Sequence, residues 1–324
     1  MADPLFAVAH PIPETALALL REAGEVRLGA EPGPIPPAQL AELARDADAL
    51  ITLLYDRVDA ALLDAIADRS RLRVVANVAV GYDNVDVAEL NRRGILFTNT
   101  PGVLTDATAD LAMALILSLT RRLGEGERLI RAGREWSWGL DFMLGTSLRG
   151  KTLGVVGLGQ IGAATARRAR AFGMEIAYTN RHRAAPELER ELAARRLPLA
   201  ELLATADILT LHCPLTAETH HLIDAHALAR MKPTAYLINA SRGPVVDEPA
   251  LAAALARGEI AGAGLDVYEH EPRVNPDLLG MEDVVLAPHL GSATTETREA
   301  MAVLAARNAI EVCAARPPLT PVHP

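Results

Sequence analysis

Short apolar runs alternate with amphipathic stretches along the whole chain. Runs that are apolar on both faces are typical of buried parallel strands. The pattern predicts strands at 5–9, 49–54, 72–78, 94–97, 151–157, 175–179, 208–211, 235–239, 260–267 and 284–286. It predicts helices at 15–23, 59–67, 103–123, 160–172, 186–194, 224–230, 247–257 and 295–314. Such strand–helix alternation implies an α/β protein with parallel sheets built from right-handed crossovers.

The first chemical motif is a glycine-rich turn, Gly157-Leu-Gly-Gln-Ile-Gly162, between a predicted strand and a predicted helix. In that context Gly157 permits a tight turn, Gly159 lets the backbone approach a pyrophosphate, and Gly162 lets the helix pack closely. The helix N-terminus adds free N–H groups and a partial positive charge. The motif predicts a dinucleotide site. The alternative is a glycine-rich turn in an unrelated α/β protein.

The end of the next predicted strand carries no carboxylate. An NAD enzyme usually has Asp or Glu about 20 residues after the glycines, whereas this chain reads Asn180-Arg181-His182-Arg183 there. The guanidinium groups of Arg181 and Arg183 suit a 2′-phosphate. The sequence therefore favours NADP(H), with NAD(H) still usable. The alternative is a solvated basic loop without a cofactor preference.

Three further polar residues each follow a predicted strand: Arg242, Glu271 and His289. Ligands of open α/β sheets bind beyond the carboxyl ends of the strands, so these side chains can converge. A carboxylate would keep a nearby histidine protonated, and an arginine would hold a substrate carboxylate. Taken singly, each residue also fits an ordinary structural role in a turn or loop.

Together these segments resemble the D-isomer-specific 2-hydroxyacid dehydrogenase family over nearly the whole chain. The residues that carry the resemblance are Gly157–Gly162, His212-Cys-Pro-Leu-Thr216, Asn239-Ala-Ser-Arg-Gly243, Asp266-Val-Tyr268 with Glu271-Pro272, and Pro288-His-Leu-Gly-Ser-Ala-Thr294. Ala76-Asn-Val-Ala-Val-Gly-Tyr-Asp-Asn84 and Trp136-Ser-Trp138 look most like the glyoxylate/hydroxypyruvate reductases of that family.

The resemblance implies a role for each matching position. His289 would be the general acid/base, Glu271 would orient it, and Arg242 would bind the substrate carboxylate and polarise the carbonyl. The other substrate-binding residues would be Leu54, Tyr55, Val80, Gly81 and Trp138, the last reaching a neighbouring subunit. The cofactor-binding residues would be Gly157, Leu158, Gly159, Gln160, Ile161, Gly162, Asn180, Arg181, Arg183, His212, Cys213, Pro214, Thr219, Ala240, Asp266 and Gly291. Tyr55 replaces a smaller residue of some similar reductases, which leaves the substrate size open.

The resemblance also implies the domain organisation. A Rossmann dinucleotide-binding domain, 100–289, would be inserted into a flavodoxin-like substrate domain made of 1–99 and 290–324. The tail, 317–324, is expected to fray.

The helix 103–123 is unusually apolar, and both Trp residues follow it at 124–147. Because a monomer would have trouble hiding this surface, a homodimer through the segment is expected.

Composition narrows the function further. The 324 residues carry 32 basic and 41 acidic side chains, a net charge of −9, which argues against nucleic-acid and anionic-membrane partners. Two cysteines form no disulfide framework, and the N-terminus lacks a signal-peptide pattern, so a cytoplasmic protein is expected. His220, His221 and His226 have no carboxylate or cysteine at ligand spacing in the sequence, so no metal site is predicted.

The predicted activity is hydride transfer to glyoxylate or hydroxypyruvate. Another member of the same family stays open: a phosphoglycerate, D-lactate or phosphonate dehydrogenase. The formate branch is disfavoured because it has Gln where this chain has Glu271. A dinucleotide-sensing corepressor is the remaining alternative, but the chain lacks that class's extra tails and keeps all three candidate catalytic residues.

Overall fold

The computed structural model describes residues 3–29 and 33–323. The chain divides into two compact units, Met1–Leu104 with Ala293–Pro324, and Thr105–Ser292. The sequence placed the corresponding joints at 99/100 and 289/290. Each unit is built on a parallel sheet, so the predicted α/β class is confirmed.

The sheet of the first unit has five parallel strands in the order β2-β1-β3-β4-β5. The strands are β1 (Leu5–Val8), β2 (Glu25–Leu28), β3 (Ala49–Thr52), β4 (Val74–Asn77) and β5 (Leu96–Thr98). This is the flavodoxin-like order that was expected. Every residue of β1, β3 and β4 is buried, which explains why these strands are apolar throughout.

Helices cover both faces of this sheet. They are α1 (Glu14–Ala23), α2 (Pro37–Ala44), α3 (Ala60–Ala65), α4 (Val87–Arg92) and α13 (Thr295–Cys313). The last helix packs on α1, β3 and β4, so the end of the chain returns to the first unit. The expectation that the tail frays is wrong for its described part. Thr320 donates to the Asn99 carbonyl at 2.6 Å, and Val322 N–H donates to the Phe97 carbonyl at 3.0 Å.

The sheet of the second unit has seven parallel strands in the order β12-β11-β10-β9-β6-β7-β8. The strands are β6 (Thr152–Val156), β7 (Glu175–Thr179), β8 (Arg195–Arg196), β9 (Ile208–Leu211), β10 (Tyr236–Asn239), β11 (Gly262–Leu265) and β12 (Val284–Leu286). The order reverses between β6 and β9, and dinucleotides bind outside such a reversal in doubly wound sheets.

Eight helices accompany this sheet in the described chain: α5 (Thr105–Thr120), α6 (Leu123–Arg131), α7 (Gln160–Ala171), α8 (Pro186–Leu192), α9 (Leu199–Thr205), α10 (Ala225–Leu228), α11 (Glu248–Ala256) and α12 (Pro276–Leu279). None of the helices in the described ranges is long and apolar enough to cross a membrane.

The apolar side chains of helix α5 are buried within the chain itself, without a partner subunit. Its side chains Met113, Leu115, Ile116 and Leu119 are buried in the core of the second unit, where α5 packs on α7 and β10. That part of the expectation about an exposed apolar helix is wrong, because α5 is a core helix. The exposed apolar side chains of this region lie after α5, on α6 and on the segment 132–147, which contains no helix or strand and is called the arm below.

Candidate active site

The glycine-rich turn joins β6 to α7, and two of its glycines are required by the protein's own packing. Gly157 has φ +96°, and a Cβ there would lie 2.7 Å from the Cys213 nitrogen. A Cβ on Gly162 would lie 2.2 Å from the Gly157 carbonyl oxygen, so α7 rests directly on the turn. A Cβ on Gly159, by contrast, would meet nothing within 4 Å. The turn therefore leaves open space at the N-terminus of α7, which fits a dinucleotide pyrophosphate.

Asn180 links the end of β7 to this turn. Its side-chain oxygen accepts a hydrogen bond from Leu158 N–H at 2.6 Å. The sequence analysis predicts Asn180 as a cofactor-binding residue. In the structure it also fixes the position of the glycine-rich turn relative to the β7 end, where the adenosine ribose of a dinucleotide lies in this type of fold.

The two arginines of the β7 end differ in their surroundings. Arg183 makes a two-pronged ion pair with Glu189 on α8, with contacts of 2.8–3.1 Å, and the Tyr178 hydroxyl donates to the same carboxylate. Arg181 is exposed, and its charge contributes to a lowered pKa of Glu218, mainly set by a hydrogen bond from Thr216. Arg183 therefore already has a carboxylate partner, whereas Arg181 faces a loop that follows β9.

A third arginine reaches this place without any signal in the sequence. The Nη2 of Arg196, on β8, donates to the main-chain carbonyls of Asn180 and Arg181 at 3.1 and 3.3 Å. Its guanidinium group thus lies beside the β7 end. The sequence analysis missed it because β8 is a two-residue, exposed edge strand without apolar residues. In the sequence, Arg195-Arg196-Leu-Pro198 gives no hint of this contact.

The predicted segment His212-Cys213-Pro214 leaves β9 beside the glycine-rich turn. His212 Nε2 hydrogen-bonds with the Thr210 hydroxyl at 3.0 Å, and its Nδ1 is a buried atom for which the described residues give no partner. Burial lowers the pKa of His212 to about 4, so its ring is neutral at neutral pH. Thr219 donates to the Pro214 carbonyl at 2.6 Å and so closes the loop.

Two of the three predicted catalytic side chains are in direct contact. His289 Nδ1 donates to Glu271 Oε2 at 2.8 Å, and Glu271 Oε1 accepts from Tyr268 N–H at 3.0 Å. Burial pushes the pKa of Glu271 up, but the hydrogen bond and charge of His289 outweigh it and leave that pKa below its usual value. The carboxylate is therefore ionised, and His289 Nε2 is the ring nitrogen left for substrate.

Backbone geometry turns His289 toward Glu271. His289 has φ +54°, in the left-handed region that costs a non-glycine residue on the order of 1 kcal/mol. Buried Asp266 holds the strained loop, because its two carboxylate oxygens accept from the N–H groups of Leu290 and Gly291 at 2.6 and 2.8 Å. Asp266, predicted as a cofactor neighbour, is thus first of all the support of the His289 loop.

Arg242 lies on the turn after β10, next to the same loop. The Asn239 side chain holds the turn by donating to the Arg242 carbonyl at 2.9 Å and accepting from Ser241 N–H at 3.1 Å. A Cβ on Gly243 would lie 1.8 Å from the Tyr268 carbonyl oxygen, so only glycine lets this turn approach the Glu271 loop. The Arg242 charge adds to the lowering of the Glu271 pKa. The structure therefore brings all three predicted catalytic residues together.

The predicted substrate residues of the first unit lie on two loops that asparagine side chains connect. Asn84 Nδ2 donates to the carbonyls of Leu53 and Asp56 at 3.1 and 2.7 Å, around Leu54 and Tyr55. Asn77 Nδ2 donates to the Gly81 carbonyl at 3.3 Å, next to Val80. Two further predicted residues lie on the second unit. Ala240, predicted to bind the cofactor, follows β10 and is buried, and Trp138, predicted to bind substrate, lies on the arm and is 77% exposed.

Comparison with known proteins shows the family to which the chain belongs. Residues 113–291 match the family model described as the NAD binding domain of D-isomer specific 2-hydroxyacid dehydrogenases. The chain belongs to the D-isomer-specific 2-hydroxyacid dehydrogenase family. Membership makes it a dehydrogenase with an NAD-binding domain, as the glycine-rich turn and the catalytic residues predicted. The resemblance given by the sequence motifs is confirmed.

Relatives of this dehydrogenase cover nearly its full length. A glyoxylate reductase of Thermococcus gammatolerans is 51% identical over 308 residues, 94% of this chain and 91% of that one. The crystal structure of a glyoxylate reductase from Paecilomyes thermophila has a TM-score of 0.90 at 34% identity, with 99% of both chains covered. An NADPH-dependent glyoxylate/hydroxypyruvate reductase from Sinorhizobium meliloti, in complex with NADP and malonate, has a TM-score of 0.88 at 38% identity, covering 99% of this chain and 97% of that one.

Proposed function

We propose that this dehydrogenase reduces small 2-keto acids, glyoxylate and hydroxypyruvate first among them, to 2-hydroxy acids with NADPH. The observation that carries the proposal is the His289–Glu271 hydrogen bond beside Arg242, on the unit that holds the dinucleotide turn. A proton donor and a carboxylate-binding cation next to a nicotinamide site are what keto-acid reduction requires. The names of the relatives, glyoxylate reductase and glyoxylate/hydroxypyruvate reductase, point to the same substrates.

Each side chain has one task in this reaction. The nicotinamide supplies a hydride to the keto carbon when it is bound. His289 Nε2 donates a proton to the carbonyl oxygen as negative charge develops there, while Glu271 accepts from Nδ1 and orients the ring. Arg242 binds the substrate carboxylate and stabilises the developing charge. Leu54, Tyr55, Val80 and Gly81 remain the proposed substrate residues of the first unit, and Trp138 that of the arm.

The proposed preference for NADPH over NADH rests on the β7 end. No carboxylate lies among residues 180–186, directly after β7, and Arg181 and Arg196 present guanidinium groups there. Arg183 contributes less than the sequence suggested, because Glu189 already neutralises it. The proposed cofactor contacts of the glycine-rich turn are backbone N–H groups of 159–162, since Asn180 already accepts from the N–H of Leu158. Leu158 and the loops at His212–Pro214, Thr219, Ala240, Asp266 and Gly291 are proposed to surround the cofactor.

We also propose that the protein is a homodimer and that its compartment is the cytoplasm. The arm and α6 expose large apolar side chains: Leu123, Ile130, Trp136, Trp138, Leu140 and Leu144. A surface of this kind is typical of a subunit interface. Both cysteines, Cys213 and Cys313, are free thiols, which suits a reducing compartment.

The test of this function is a substrate panel. Purified protein is mixed with NADPH and glyoxylate, hydroxypyruvate, pyruvate or 3-phosphohydroxypyruvate, and NADPH oxidation is followed by absorbance. We expect the highest kcat/KM with glyoxylate or hydroxypyruvate. A higher kcat/KM with pyruvate or 3-phosphohydroxypyruvate would replace the proposed substrate with that of another family member. No oxidation with any of the four would overturn the proposal.

A further inference from the structure

Two consecutive histidines point the same way on the surface of the second unit, outside the catalytic site. His220 and His221 follow the loop after β9, and their ring centroids lie 4.1 Å apart at an interplanar angle of 31°. Neighbouring side chains of a regular strand or helix diverge. Here His221 has φ +50°, a left-handed conformation that turns both rings to one side.

A carboxylate from a distant part of the chain completes the group. His221 Nε2 lies 2.8 Å from Glu269 Oε1, and the three residues can each offer a ligand atom within 4.8 Å of the other two. This carboxylate is not at ligand spacing from the histidines in the sequence, which is why the sequence analysis predicted no metal site. Glu269 is separated from His221 by 48 positions, and only the packing of the β11 loop brings it there.

The main chain around these ligands is held in place. His221 N–H donates to the Pro244 carbonyl at 2.8 Å, and Glu269 N–H donates to a carboxylate oxygen of buried Glu248 at 2.6 Å. His220 is exposed, so water can reach the group from its side. The geometry is thus a hydrogen-bonded pair, His221 and Glu269, with an exposed third imidazole and one side open to solvent.

We propose that His220, His221 and Glu269 bind a divalent transition-metal ion of the Zn²⁺ class, with water as a further ligand. Two imidazoles and one carboxylate suit Zn²⁺, Co²⁺ or Ni²⁺, whereas Ca²⁺ and Mg²⁺ prefer all-oxygen sites. Zinc bonds of about 2.0–2.2 Å place tetrahedral ligand atoms roughly 3.4 Å apart. Binding therefore requires the His221 Nε2–Glu269 Oε1 contact to open from 2.8 Å and the His220 ring to rotate toward the ion. The ion would join the loop after β9 to the loop that also carries Glu271, as a brace and not as a catalyst.

The experiment is a titration of the full-length, untagged protein with Zn²⁺ alone, after treatment with a chelator, by isothermal calorimetry. We expect one ion per chain with a micromolar dissociation constant, and binding weakened tenfold or more by His220→Ala and by Glu269→Gln. Co²⁺ should give the visible absorption of a four-coordinate site in wild type but not in His220→Ala. His226→Ala is the matched control, since His226 on α10 contacts Arg230 and lies outside the group.

Two results would overturn the proposal. One is no heat of binding at about 0.1 mM Zn²⁺, a concentration far above a micromolar constant. The other is unchanged affinity in His220→Ala, which would place the ion elsewhere. His220 is exposed, so His220→Ala is expected to fold even if a change at His221 or Glu269 does not. Keto-acid reduction should persist in chelator, so the outcome is independent of the proposed function.

Discussion

Arg196 offers a sharp test of the cofactor assignment, because no sequence motif marks it. Its guanidinium group donates to the Asn180 and Arg181 carbonyls at 3.1 and 3.3 Å, beside the place expected for the adenosine ribose. NADP carries an extra 2′-phosphate there, and a guanidinium group has donors beyond those two bonds. We therefore expect Arg196→Ala to reduce the use of NADPH while it leaves the use of NADH nearly unchanged.

The size of the effect follows from the exposure of the site. A charge-assisted hydrogen bond contributes on the order of 1.5–3 kcal/mol. The exposed position of Arg196 calls for a discount for solvent screening, to about 1–1.5 kcal/mol. That corresponds to a fall of roughly tenfold in the ratio of kcat/KM for NADPH to kcat/KM for NADH. Arg181→Ala should have a similar effect, and Arg183→Ala a smaller one because Glu189 pairs with Arg183.

The assay measures kcat/KM for NADPH and for NADH, with glyoxylate as the substrate. Calorimetry measures the affinities for 2′,5′-ADP and 5′-ADP. Arg195→Ala is the matched control, since Arg195 is the other residue of the same exposed strand. An equal loss with both cofactors in Arg196→Ala would show that Arg196 only holds the loop. An unchanged ratio would refute the assignment outright. A wild type without a preference for 2′,5′-ADP would refute the NADPH proposal itself.

Three other predictions concern charge, pH and assembly. Glu271→Gln removes the carboxylate that orients His289, so we expect kcat to fall while the affinity for NADPH is unchanged; a wild-type kcat would speak against the pairing. Burial lowers the pKa of His212 from 6.5 to about 4, so on acidification its ring is protonated at a higher pH in the unfolded chain than in the folded protein. Stability should therefore fall as pH drops from 6.5 toward 4, by at most roughly 3 kcal/mol, and His212→Asn should flatten this fall in thermal melts; an identical pH dependence in the variant would contradict it. Sedimentation should give a dimer that Trp138→Glu with Leu140→Glu weakens, and a monomeric wild type at micromolar concentration would exclude the interface.

The sequence predicted every strand whose residues are all buried, and it missed β2 and β8, the two strands without a buried residue. β6 and β9 are wholly buried, so an apolar run marks each of them. β2 reads Glu-Val-Arg-Leu and is only partly buried, and β8 consists of two exposed arginines. Neither carries the apolar signal by which a strand is recognised. The same holds for α6, which has no buried residue.

The site divides in the same way between local and distant contacts. The glycine-rich turn and the strand-end positions of Arg242 and His289 are local features that the motifs carry. The Arg183–Glu189 pair, the Arg196 contact and the meeting of His221 with Glu269 depend on the packing of loops far apart in the chain. Residue types alone do not reveal these partners, so the sequence could show neither the carboxylate that pairs with Arg183 nor the one beside His221.

The central claim is that His289 is the proton donor of a keto-acid reduction supported by this dinucleotide-binding unit. The most direct measurement compares wild type with His289→Ala, with glyoxylate and NADPH for turnover and NADPH fluorescence for binding. We expect kcat to fall by about 10²–10⁴-fold, the usual contribution of general acid catalysis, while NADPH affinity stays within about twofold. Turnover at the wild-type rate in His289→Ala would contradict the account.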